Sequence, residues 1–429
     1  MGKEAVKIGM LGMGTVGGGV AELLERNIEQ IAAKTETEFV VEKVLVRDPT
    51  KKRAGNLPES IFTTDPDQIL ENPEISVVIE LIGGIEPARS FIARALQNGK
   101  YVVTANKDLL ATHGDQLMTL ARNNQRNIFY EASVGGGIPI IRPLRHSLVA
   151  DQTNRLIGIV NGTTNYILTK MAQDKLEFNQ ALARAQELGF AEADPSSDIE
   201  GRDASYKLMI MAGLAFGCLV DPAQVYTEGI SKVTQEDIAY ASELGYVIKL
   251  IAIGERLAGG LALRVHPTLV PQDHPLAMVC NEYNAIFVEG DAVGEVMFYG
   301  RGAGALPTAS AVLADVAEAL RCIRRQAVNG VIEAIKKPVK QLPVEELESR
   351  FYLRFLAEDR PGVFAALANA FGDEQVSLDM VIQKRRINNT AEIVLVTHLV
   401  GEKAFNRALS KVLALPAIKA EPSKFRLLS

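Results

Sequence analysis

Val6-Lys7-Ile8-Gly9-Met10-Leu11-Gly12-Met13-Gly14-Thr15-Val16-Gly17 sets three glycines in G-x-G-x-x-G spacing directly after an apolar run. The run has the length and composition of a buried strand, and the residues that follow have the apolar spacing of a helix. Each glycine has its own task. Gly12 permits a tight turn, Gly14 lets backbone approach a pyrophosphate, and Gly17 lets the helix pack closely on the strand. The helix N-terminus, with Thr15 and Val16 at its start, turns N–H groups toward an anion. A glycine triad alone is a weak signal; strand, turn and helix in register make dinucleotide binding the reading.

Outward from this unit, short apolar runs alternate with helical stretches. Val6–Leu11, Phe39–Val46, Val77–Glu80, Tyr101–Thr104 and Ile128–Tyr130 read as strands, with helices such as Val16–Ala33 and Pro87–Gln97 between them. This order predicts an α/β fold, a Rossmann-type doubly wound parallel sheet over residues 1–142. Residues 143–301 mix strands such as Leu156–Val160 and Ala262–Val265 with helices around Asn179–Leu188 and Asp203–Phe216, an α+β region expected to bind substrate and form a dimer interface. Gly300–Pro307 leads into an alanine-rich helix, Thr308–Arg325, expected to return to the first sheet and close its domain with residues 302–328. Residues 329–348, rich in lysine, proline and glutamate around Ile335–Glu348, read as a linker. Beyond them, Phe351–Leu356, Gly362–Phe371, Val376–Gln383, Glu392–Leu399, Glu402–Leu413 and Phe425–Leu428 spell a βαββαβ module over 349–429, of ordinary size for a small domain.

Composition narrows the class. A chain of 429 residues with 47% apolar content has material for more than one core. A net charge of −6 gives no basic footprint, which argues against a nucleic-acid partner. Cys218, Cys280 and Cys322 are widely spaced and read as reduced thiols. With no leader pattern and no apolar run of about 18 residues, the expectation is a soluble cytoplasmic protein without a membrane partner.

Four further stretches carry chemistry. The second strand ends Val46-Arg47-Asp48, followed by Lys51, Lys52 and Arg53. An acidic residue there suits the ribose diol of NAD, whereas Arg47 suits the 2′-phosphate of NADP; the alternative is a solvated loop. Thr104-Ala105-Asn106-Lys107 follows the strand Tyr101–Thr104, at the strand end where ligands of such sheets sit, although a lysine opening a helix is often only solvated. Glu131-Ala132-Ser133-Val134-Gly135-Gly136-Gly137-Ile138-Pro139 can supply oxygen ligands to a hard cation or serve as a hinge.

The fourth stretch, Glu192 to Lys207, reads E-A-D-P-S-S-D-I-E-G-R-D-A-S-Y-K and feeds an apolar helix. Asp203 and Lys207 stand four residues apart and share a helix face. They form either an ordinary surface pair or part of a site. A lysine at the mouth of a buried helix is partly desolvated, which lowers its pKa and fits it for proton transfer.

The stretch from Ala185 to Lys207 closely resembles the signature of homoserine dehydrogenases. So do the G-x-G-x-x-G, Thr104–Lys107, Glu131–Pro139 and the N-G-T-T-N-Y of Asn161–Tyr166. The resemblance implies NAD(P)-dependent interconversion of L-aspartate 4-semialdehyde and L-homoserine, in threonine, methionine and isoleucine biosynthesis. It implies that Lys207 is the proton donor, that Lys107 assists, and that Glu192, Asp198 and Asp203 hold the substrate. It also implies a sodium site at Glu131, Val134, Gly136 and Ile138, and cofactor contacts at Thr104, Lys107, Gly189 and Gly304 beside the glycine loop. An amino aldehyde fits this set physically: carboxylates grip its ammonium, and a lysine protonates the carbonyl oxygen as hydride arrives. No cysteine has an evident histidine partner, which disfavours thiol-dependent aldehyde chemistry. An amino acid dehydrogenase acting at an amine carbon would not require the Glu192-to-Lys207 array. A non-catalytic amino acid and nucleotide sensor is the remaining alternative.

Asp359-Arg360-Pro361-Gly362-Val363 lies between the first strand and first helix of the tail. With the βαββαβ order it resembles the ACT domain, which binds amino acids. Pro361-Gly362 opens a helix whose N–H groups suit a carboxylate; a plain strand-to-helix turn is the alternative. The resemblance implies feedback by an amino acid effector, L-threonine, bound at Asp359, Pro361, Gly362 and Val363, and a homodimer or homotetramer. Deletion from about Glu345 onward is expected to abolish inhibition and spare catalysis.

Overall fold

The computed structural model describes residues 5–51, 53, 55, 57–325, 337–387 and 390–428. Lys52 of the basic run and residues 326–336, where the expected nucleotide-domain return ends and the expected linker begins, lie outside the described residues. The chain divides into two compact units: residues 1–154, 206–222 and 284–338 form the first, and 155–205, 223–283 and 339–429 the second.

In the first unit six parallel strands, β1 (Val6–Leu11), β2 (Phe39–Leu45), β3 (Phe62–Thr63), β4 (Ile75–Glu80), β5 (Tyr101–Thr104) and β6 (Ile128–Phe129), lie in the order β3-β2-β1-β4-β5-β6. The order reverses at β1, so the carboxyl ends of β1 and β4 flank the switch point where such sheets bind ligands. Helix α1 (Thr15–Thr35) follows β1 out of the glycine turn. The helix Ala305–Arg324 packs beside it, and Val312, Val316 and Leu320 join a core with Ile8, Met10, Val44, Ile79 and Val103. Burying each such side chain contributes about 1.5–3 kcal/mol. The two helices approach so closely at Gly19 that a Cβ there would stand 2.6 Å from the Ala305 carbonyl oxygen.

In the second unit the strands run in the order Thr153–Ile159, Tyr246–Leu257, Gly260–Pro271, Ser423–Leu427, Glu348–Glu358, Thr390–Thr397 and Leu378–Ile387. Tyr246–Leu257 and Gly260–Pro271 form a long antiparallel hairpin. The tail shows the expected βαββαβ order, and its helices Val363–Asp373 and Glu402–Leu413 close a core of Phe351, Phe355, Leu367, Phe371 and Phe405. The Phe351 and Phe405 rings stack with centroids 3.5 Å apart.

The tail differs from a self-contained module on a tether. Its last strand pairs in parallel with the long hairpin, Thr268 opposite Arg426 and Leu269 opposite Leu427. This pairing covers a sheet edge that would otherwise present unpaired backbone groups. The stretch expected as linker is packed in its second half: Leu261 N–H donates to Lys340 O at 2.9 Å, Leu342 N–H to Leu261 O at 2.8 Å, and Leu342 and Leu347 bury against Ala262.

Candidate active site

The glycine loop has the geometry that its residues dictate. Gly12 has φ +98, and a Cβ there would stand 2.9 Å from Leu81 O; a Cβ at Gly17 would meet Gly12 O at 2.8 Å. At Gly14, the N-cap of α1, nothing lies within 4 Å of the Cβ position. Two glycines thus close the turn against itself while the third faces open space at a helix N-terminus, the arrangement that admits a pyrophosphate.

Beyond β2, Asp48 is engaged within its own turn, accepting Thr50 N–H at 2.9 Å and Thr50 Oγ1 at 2.7 Å, and these bonds hold its carboxyl below the usual range. Arg53 reaches the carbonyls of Lys51 and Asp48. Arg47 is exposed and makes no hydrogen bond or ion pair among the described residues.

At the ends of β4 and β5 the structure adds a residue that sequence reading missed. Glu80, fully buried, accepts Ile82 N–H and Gly83 N–H through Oε1 and the Thr104 hydroxyl at 2.7 Å through Oε2. Thr104 Oγ1 accepts Asn106 N–H at 3.0 Å, and Asn106 caps the helix Lys107–Asn123 by accepting Leu109 N–H. This chain of bonds fixes where Lys107, the first residue of the helix, begins. An acid closing an apolar strand was the available signal, and only the fold shows that it is buried.

The Glu131 carboxylate is buried and accepts the N–H groups of Ile140, Ile141 and Arg142 at 2.7–2.9 Å. Its own N–H donates to Asp315, which also pairs with Arg142 at 2.6 Å, and burial pushes the Asp315 carboxyl up to about 7 against that pull. The Glu131 side chain therefore shapes the loop. The main-chain carbonyls of Val134, Gly136 and Ile138, in buried residues, accept no hydrogen bond among the described residues. Uncommitted buried oxygens are the donor type that a hard monovalent cation takes. Gly136 has φ +53, and a Cβ there would stand 2.5 Å from Gly302 O, so the loop accepts only glycine at this position.

In the second unit, Asn161 caps the helix Gly162–Asp174 and donates through Nδ2 to Asp198 at 2.7 Å and Asp203 at 2.8 Å. Two of the three expected substrate acids are thus brought together. The third, Glu192, is exposed on a loop held by Thr163 Oγ1 to Phe190 O at 2.6 Å, by the Tyr166 and Phe190 rings, and by Gln186 Nε2 to Glu192 O. Gly189, with φ +75, opens that loop. Asp203 is 4% exposed in the first turn of the helix Arg202–Ala215, and Lys207, one turn further along, is 9% exposed. Gly304, with φ +118, caps the helix Ala305–Arg324.

In the tail, Gly362 caps the helix Val363–Asp373 with φ +89, a left-handed conformation that favours glycine. Val363 is buried, Asp359 accepts Gln383 Nε2 at 3.4 Å, and Arg360 pairs with Glu358 at 2.7 Å. No described helix is long and apolar enough to cross a membrane.

Sheet order and glycine loop define the first unit as a Rossmann-type dinucleotide-binding domain. Family models agree along the chain: a homoserine dehydrogenase NAD-binding domain matches residues 12–131, homoserine dehydrogenase 139–317 and an ACT domain 351–417. A homoserine dehydrogenase of Synechocystis is 46% identical over 99% of this chain and 100% of its own length, and one of Bacillus subtilis 40% identical over 99% and 98%. The crystal structure of a homoserine dehydrogenase from Thiobacillus denitrificans superposes with a TM-score of 0.94 at 42% identity, covering 99% of each chain. The chain belongs to the homoserine dehydrogenase family.

Proposed function

We propose that this protein reduces L-aspartate 4-semialdehyde to L-homoserine, and runs the reverse reaction, with NADP(H) and under feedback from L-threonine. The observation that carries the catalytic part is the burial of Asp203 and Lys207 one helical turn apart. An exposed i,i+4 pair has little effect; a buried lysine one turn from a buried acid suits a proton donor beside a cation grip. The dinucleotide, when bound, supplies the hydride. Lys207 donates a proton to the carbonyl oxygen, Lys107 assists that transfer, and Glu192, Asp198 and Asp203 hold the ammonium and hydroxyl ends.

Residues 1–142 with about 302–328 bind the dinucleotide through Gly12, Gly14, Thr15, Val16 and Gly17, with Thr104, Gly189 and Gly304 as further contacts. Arg47, exposed and without a hydrogen bond or ion pair among the described residues, favours the 2′-phosphate of NADP. Residues 143–301 bind substrate and form a homodimer or homotetramer interface. Glu131 and the carbonyls of Val134, Gly136 and Ile138 hold sodium. The ACT domain receives threonine at Asp359, Pro361, Gly362 and Val363. The protein works in the cytoplasm in threonine, methionine and isoleucine synthesis.

Initial rates of NADPH oxidation by the full chain with the semialdehyde, with and without L-threonine, test this reading. Turnover that falls as threonine rises is expected; turnover insensitive to threonine at millimolar concentration removes the regulatory part.

A further inference from the structure

Asn161 is 5% exposed, and its carboxamide is fully used. Oδ1 accepts Thr164 N–H at 2.8 Å and the Thr164 hydroxyl at 2.9 Å; Nδ2 donates to Asp198 Oδ1 at 2.7 Å and Asp203 Oδ2 at 2.8 Å. The backbone donor on one side fixes the amide orientation, because a flip would set its oxygen against two carboxylates. Capping alone does not explain the residue type. Serine, threonine and aspartate also accept the cap bond, but of the common N-cap residues only asparagine can accept it while donating two N–H groups.

We infer that Asn161 is a positioning residue for the substrate acids, setting the separation and orientation of Asp198 and Asp203 so that both face one amino-alcohol or amino-aldehyde substrate. The inference rests on the reading of Asp198 and Asp203 as substrate ligands. Asp198 precedes the helix Arg202–Ala215 in the short helix Ser196–Ile199, and Asp203 lies in the first turn of the longer helix. Two like charges brought together repel, and a donor shared between them holds the pair in one geometry.

The test uses variants that keep the cap and lose the bridge. N161D retains the acceptor for Thr164 N–H, donates to neither carboxylate and adds a third negative charge; N161S retains the cap and is too short to span the pair. In the full chain, both are expected to raise KM for the semialdehyde by about tenfold or more, with KM for NADPH within about twofold and a cooperative thermal transition retained, its midpoint lowered more in N161D than in N161S. N161D is further expected to move the acid limb of kcat/KM to higher pH, because the added charge raises the neighbouring carboxyl pKa; N161S is not. D198N and D203N are measured alongside. If they raise the semialdehyde KM while N161D and N161S leave both KM and the acid limb unchanged, the positioning role is overturned and Asn161 is a cap. If D198N and D203N leave KM unchanged, the substrate-ligand reading fails, and this inference with it.

Discussion

Arg354, on the first strand of the ACT domain, donates through Nε to Asp237 Oδ1 at 2.7 Å, and Asp237 is fully buried in the first turn of the helix Gln235–Glu243. Asp237 also accepts Ser423 Oγ at 2.9 Å and closes a capping box with Thr234, while Glu392 accepts Tyr240 OH at 2.8 Å and Arg354 Nη1 at 3.2 Å. A second ion pair, Arg426 with Glu402 at 2.6 Å, stacks its guanidinium over the Tyr226 ring. The ACT domain is joined to the hairpin and helix of its own unit by a buried polar seam and by continuous strand pairing. R354M leaves Asp237 buried without its guanidinium, an error that costs about 3–5 kcal/mol. Thermal unfolding of R354M, D237N and the double variant checks this: each single change lowers the midpoint, and the double variant loses less than the sum. For the same reason deletion from Glu345 is not a clean cut, since it uncovers Asp237 and the edge of Gly260–Pro271; loss of stability is expected along with loss of regulation.

Arg47→Ala tests cofactor choice. A charge-assisted bond to a 2′-phosphate is worth about 1.5–3 kcal/mol, so KM for NADPH rises by about tenfold to a hundredfold while that for NADH stays within about twofold. An equal loss for both cofactors removes the assignment.

Lys249 supplies a pH dependence. Its ammonium is buried, donating to Asn165 Oδ1 at 3.0 Å and Val279 O at 2.6 Å, and burial lowers its pKa from 10.5 to about 8. The unfolded chain therefore holds this proton over a range in which the folded chain has released it, so stability rises with pH from about 8 to 10.5. Below pH 8 this group imposes its full penalty, up to about 3 kcal/mol. Thermal midpoints of wild type and K249M across pH 7–10 check it: the wild type gains on the variant as pH rises, and parallel curves contradict the shift.

Gly12, Gly14 and Gly17 made the first sheet legible because their spacing is local: carbonyl oxygens crowd Gly12 and Gly17, and Gly14 leaves open space at the helix N-terminus. The βαββαβ order of the tail was legible for a similar reason, since apolar periodicity reports elements one at a time. Partner choice is different. Nothing local in Ser423–Leu427 says that it lies beside Gly260–Pro271, and the bond from Asn161 to Asp203 spans 42 positions of sequence. Glu80 was passed over because a strand-terminal acid looks solvated until the fold buries it. Arg47, Gly362 and the acid-lysine run stand out in the sequence by residue type and spacing, while what surrounds each one had to come from the tertiary structure.

The most direct test of the catalytic account is the single-turnover and steady-state reduction of L-aspartate 4-semialdehyde by K207M with NADPH, beside wild type. With the proton donor removed, kcat is predicted to fall by about a hundredfold or more while NADPH binding and the thermal midpoint stay near wild type. A kcat within a few-fold of wild type, in a folded variant that binds NADPH normally, would contradict Lys207 as the donor.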